Sequence, residues 1–155
     1  MTAPFPIVDA HQHFWDPRIN YHPWLCDEPL TAFRYGDYSA LRRPYLPADY
    51  FQDTRGHDVV KTVYVETEWN PRDPLGETAW VERLRRETGF PTVMVAQAWL
   101  DRDDAARVLE RQAAYPFVRG IRHKPRAGAM RDARWLAGYA LLERWNDRGR
   151  RRLTK

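Results

Sequence analysis

The sequence predicts an α/β fold built on a parallel sheet. Three observations carry this reading. Short β-branched runs alternate with longer amphipathic segments. The runs are nearly continuous in apolar residues, as strands covered on both faces must be. The 155 residues, 43% hydrophobic and 30% charged, suffice for one globular domain with a core of its own.

Residues 7–10, Ile-Val-Asp-Ala, follow a Pro-rich start and read as a first short strand. Residues 14–56 show no periodic run but are rich in proline and aromatic side chains, which predicts a packed loop rather than a floppy one. Residues 59–66 are β-branched and read as the second strand. Trp80, Val81 and Leu84 recur at helical spacing over residues 77–88, and Gly89 followed by Pro91 stops that helix. Residues 92–98 are the third strand. Asp101 is placed to cap the next helix, whose apolar face is Ala105, Val108, Leu109 and Ala113. Residues 117–122 form the fourth strand, and Trp135, Leu136, Tyr139, Ala140 and Leu142 mark a last helix.

Composition excludes several classes. A single cysteine, Cys26, rules out an intrachain disulfide and a cysteine-rich zinc module. The formal net charge of +4 resides entirely in residues 146–155, where five basic side chains face one acidic one. The body is balanced, so a phosphate-binding surface for nucleic acid is not indicated. No run approaches the roughly 18 apolar residues of a membrane span. Residues 1–6 lack the basic and apolar parts of a signal peptide, which makes the cytoplasm the expected compartment.

The strongest chemical signal is Asp9-Ala10-His11-Gln12-His13, at the end of the first strand. Histidines at i and i+2 of an extended segment point the same way. Both imidazoles can then reach one divalent metal at about 2.0–2.1 Å. A pair of loop histidines is the plain alternative. Glu66 ends the second strand, where an acid is costly unless paired or ligating. Arg122 and His123 end the fourth. Polar groups at the ends of three strands converge as in a site. The aromatic stretch, with Trp15, Tyr21 and Trp24, follows the first strand directly and is expected to cover the mouth of that site.

These segments together resemble a known family. Residues 7–17 (IVDAHQHFWDP), 21–25 (YHPWL), 45–50 (YLPADY) and 118–123 (VRGIRH) are similar to the amidohydrolase-related family. Within it they look like the sugar-lactonase branch of fuconolactonase-like and rhamnonolactonase-like hydrolases. The resemblance runs from about residue 6 to about residue 144. It implies a partial (β/α)8 TIM barrel, about the first four βα units, in a domain over residues 1–145. It implies hydrolysis of a sugar lactone or a related small carbonyl ester, with His11, His13 and Glu66 on one divalent metal, Zn or Mn. It implies that Trp24 and Arg122 bind substrate, that His123 with Arg122 holds the substrate's oxygens, and that His123 is catalytic. Some relatives work without a metal. Residues 146–155 carry no strand pattern, and the expectation is a non-native or disordered basic tail on a truncated, weakly active chain. Open sheet edges predict self-association. A half-barrel binding a metal or a protein partner without catalysis is the alternative reading.

Overall fold

A computed structural model describes residues 5–30, 32 and 36–144. The basic tail expected over residues 146–155 lies outside the described residues, as do Phe33 and Tyr35 of the aromatic stretch. Four strands, β1 (Pro6–Gln12), β2 (Asp58–Val65), β3 (Val93–Gln97) and β4 (Val118–Arg122), form one sheet in the order β1-β2-β3-β4. Every pairing is parallel. This is the α/β architecture expected from the sequence, and it corresponds to the first βα units of a barrel.

The helices are α1 (Pro23–Cys26), α2 (Pro47–Asp53), α3 (Gly76–Thr88), α4 (Ala105–Ala113) and α5 (Ala133–Ala140). Gly89 closes α3 in the left-handed conformation at φ 79°, which a residue without Cβ adopts freely. The helix expected to begin at Asp101 instead starts at Ala105, with Asp104 in the cap position. Residues between them form turns, so Asp101 is not a cap. The aromatic stretch is packed, as expected, but it contains α2. Its start carries Pro47 in the first turn and Asp49, whose carboxylate accepts the backbone N–H of Leu46 at 2.8 Å.

Strand alternation divides the sheet into two unlike faces. Thr62, Tyr64, Met94 and Ala96 are buried beneath α3 and the aromatic segment, in a core with Phe14, Tyr50, Trp80, Val81 and Phe117. Val63, Val93 and Val95, on the other face, are only partly covered. At the outer strand Val8 is 57% exposed, and Val60 of β2 is 47% exposed. A second cluster joins Ala98, Leu100, Val108, Leu109, Ala129 and Trp135 under α4 and α5.

Buried polar groups tie these layers together. Gln112 of α4 accepts from the Thr78 hydroxyl at 2.7 Å and donates to the carbonyls of Gln97 and Pro74, each at 3.0 Å. One side chain thereby links α3, α4 and the end of β3. Gly138 of α5 lies directly against the Leu100 backbone, where an added Cβ would stand 1.8 Å from the carbonyl oxygen. Among the described residues no helix is long and apolar enough to cross a membrane.

Candidate active site

The carboxyl ends of β2, β3 and β4 border a cleft of about 200 Å³. Its walls include Trp24, Glu66, Glu68, Gln97, Arg122, His123 and Lys124. Strand ends converge here because parallel pairing puts all the carboxyl ends on one side of the sheet.

Glu66 is 1% exposed and follows the last residue of β2. A carboxylate so placed needs compensation. Arg122, at the end of β4, supplies it through Nε, 2.5 Å from Glu66 Oε1. The other oxygen accepts the backbone N–H of Glu68 at 2.8 Å. That bond comes with a left-handed backbone at Glu68, φ 55°, an uncommon conformation for a residue with a Cβ. The Glu68 side chain pairs with Lys124. Two acid–base pairs therefore line one side of the cleft.

Behind them lies a buried network centred on Thr67. Glu77, in the first turn of α3, accepts from the Thr67 N–H at 2.7 Å, the Thr67 hydroxyl at 2.8 Å and the Tyr64 hydroxyl at 2.8 Å. All three bonds reach Oε1, and Oε2 has no partner among the described residues. Burial pushes the Glu77 carboxyl up to about 7, the negative charge of Glu66 adds to the rise, and the Thr67 bonds oppose it. The Thr67 carbonyl accepts from Trp24 Nε1 at 2.8 Å and faces His22 Nδ1 at 3.2 Å. His22 is fully buried, and burial holds its imidazole down at about 4.

At the end of β1 the two histidines of the His-x-His segment face each other. Their Nε2 atoms are 3.1 Å apart. His13 Nδ1 is 2.7 Å from the Val65 carbonyl, which can only accept, so Nδ1 carries the hydrogen and Nε2 is bare. Burial pushes His13 down to about 4, and the positive charges of His11, Arg122 and Lys124 act in the same direction. His11 is exposed, and its backbone N–H donates to Asp9 Oδ1 at 3.0 Å.

The structure thus gathers Glu66, Arg122, His123 and Trp24 around one cleft. It sets His11 and His13 as a pair on the neighbouring strand end, outside the cleft wall. Glu66 does not join that pair. Both its oxygens are engaged elsewhere, and among the described residues no three His, Cys, Asp or Glu side chains gather as a ligand set. Sequence reading did not single out Glu68, Gln97, Lys124, His22 or Glu77. Gln97 Oε1 is buried with no partner among the described residues. Of these residues, only His22 lies within the segments that carry the family resemblance, in residues 21–25.

The sequence model of the Amidohydrolase family matches residues 8–150. The chain belongs to the amidohydrolase family. A protein of Sinorhizobium fredii (strain NGR234), the uncharacterized protein y4mH, is 35% identical over 116 residues, which are 75% of this chain and 39% of that protein. Two crystal structures of an amidohydrolase from Burkholderia multivorans, one with bound zinc and one with bound HEPES, share the fold at TM-scores of 0.61 and 0.63. Each is 24% identical and aligns over 87% of this chain and 44% of its own. The chain spans about two fifths of the length of these relatives.

Proposed function

We propose that this amidohydrolase chain takes part in opening a small sugar lactone or related ester at the carboxyl end of its sheet. The observation that carries the reading is the His11–His13 pair. Two imidazole nitrogens 3.1 Å apart match the roughly 3.4 Å expected of two ligands on one tetrahedral metal. The carbonyl of Val65 fixes the outer nitrogen of His13, as a backbone acceptor does behind a ligating histidine. The zinc in the Burkholderia multivorans structure supports zinc as the first metal to test, with manganese second.

Such a cation would polarise the carbonyl and lower the pKa of a bound water toward about 7. The chain's own part is binding and orientation. Arg122 is fixed by Glu66 and presents its remaining guanidinium donors to substrate oxygens. Gln97 Oε1, buried with no partner among the described residues, supports a hydroxyl-bearing substrate. Trp24, held by Thr67, gives an apolar wall. Glu66 serves in this reading to hold Arg122 rather than the metal. None of these residues is assigned the role of general base, whose loss typically costs 10²–10⁴-fold, so a slow rate is expected of this polypeptide alone. Association with further chains through the sheet edges belongs to the same proposal.

The test is a zinc titration followed by lactone hydrolysis. Zinc binding is expected in the parent and lost in His13→Ala. Opening of 1,4- and 1,5-lactones is expected to exceed the spontaneous rate only with metal. A parent chain that binds no zinc overturns the metal assignment. One that binds zinc yet opens no lactone overturns the substrate.

A further inference from the structure

His123 Nδ1 lies 3.2 Å from the backbone nitrogen of Leu100 and 3.2 Å from Nε1 of Trp135. Both partners can only donate. A hydrogen on Nδ1 would meet two others head-on, so Nδ1 holds the lone pair. The single proton of the neutral ring then sits on Nε2. Nε2 is 3.9 Å from Asp101 Oδ1, beyond hydrogen-bond reach, and the residue lines the cleft.

We propose that Trp135 of α5 is a positioning residue that fixes His123 as its Nε2–H tautomer. His123 thereby enters the cleft as a neutral donor to a substrate oxygen, not as a proton acceptor. This rests on the reading of the cleft as a hydrolase site. It deepens that reading by assigning the ring one direction of hydrogen bonding.

His13 shows the contrast. A carbonyl fixes its Nδ1 as the donor, leaving Nε2 bare. Two N–H groups fix His123 the other way round. One ring offers a lone pair and the other a proton, which is what a ligand and an oxygen-binding donor respectively require. The second lock is built by tertiary packing. Gly138 lets α5 approach the Leu100 backbone, and Trp135 lies in the buried cluster with Leu100 one turn earlier in α5. Asp101, Arg102 and Glu66 are the charged groups acting on His123. Asp101 and Glu66 favour its charged form, but burial, the largest influence, keeps the ring below its usual value.

Long-range ¹H–¹⁵N correlation on histidine-labelled chain at pH 7 reads tautomers directly and needs no turnover. His123 signals are assigned by their loss in His123→Gln. The expected pattern is a bare Nδ1 and a protonated Nε2. Trp135→Phe keeps the ring packing and removes one donor, so the ratio of the two tautomers is expected to shift about two- to tenfold, the worth of one hydrogen bond. Unchanged signals from the other four histidines show that this variant is folded. Nδ1–H as the main form in the parent, or a folded Trp135→Phe with unaltered His123 shifts, overturns the proposal. Failure of the hydrolase reading appears separately, as absent lactone opening in a chain whose His123 spectrum is as expected.

Discussion

Arg122 reaches across the end of β3 to meet Glu66, since β2 and β4 are not neighbours in the sheet. The pair therefore staples three strand ends and fixes the guanidinium at the cleft in one step. Glu66 is almost fully buried, and Arg122 is the cation that compensates its carboxylate.

Arg122→Met is expected to destabilise the chain by about 3 kcal/mol, because it leaves a buried carboxylate uncompensated. Adding Glu66→Gln is expected to recover most of that loss, since the desolvated charge disappears with its partner. Urea unfolding of the two single variants and the double variant checks this. A double variant no more stable than Arg122→Met would show that the cost is packing rather than charge.

The Thr67 network sets two opposed pH dependences. His22 is held at about 4 in the folded chain, below the usual 6.5, so its contribution is complete above 6.5 and is lost as pH falls toward 4. Between pH 7 and pH 5 this amounts to about 2 kcal/mol. Glu77 is held at about 7, above 4.5, so its contribution is complete below 4.5 and is lost as pH rises through 7. The two slopes offset each other in the parent. Glu77→Gln is expected to steepen the loss on acidification, and His22→Asn to flatten or reverse it. Unfolding free energies at pH 5, 6 and 7 decide the matter, and parallel curves for parent and variants would contradict both assignments.

Gly138→Ala sets propensity against packing. Alanine in a helix interior is favoured over glycine by about 1 kcal/mol. The new Cβ, however, would stand 1.8 Å from the Leu100 carbonyl oxygen, and a backbone carbonyl cannot yield as a side-chain tip does. The contact is expected to win, with a net loss of about 2 kcal/mol or more and a changed near-ultraviolet signal from Trp135. A stabilised variant would mean that α5 does not dock on Leu100 as described.

Much of this was legible in the chain itself. The four strands were readable because parallel strands are apolar runs that turn signals bound, although β1 is largely exposed. The placement of Arg122 and His123 followed from strand ends. The helix α2 was missed because seven residues carry too few turns for a periodic signal, although Pro47 and Asp49 marked its start. Asp101 was misjudged as a cap because three further acids and bases follow before Ala105, and sequence does not say which begins the turn. The partner of Glu66 was not readable. It lies 56 positions away, and only the sheet register brings it within reach. The opposite tautomers of His13 and His123 depend on a carbonyl of β2, a loop N–H and the Trp135 indole of α5, which no motif encodes.

Thr67 has one N–H, one hydroxyl and one carbonyl, and together they bind two separate parts of the fold. Two of them hold α3 through Glu77, and the third holds the aromatic segment through Trp24. The residue behaves as a pin between a helix and a wall. Any tilt of α3 is delivered to the indole of Trp24 without passing through the solvent-facing loop. A substitution on the outer surface of α3 that shifts the helix therefore changes the width of the cleft, though it touches nothing in it.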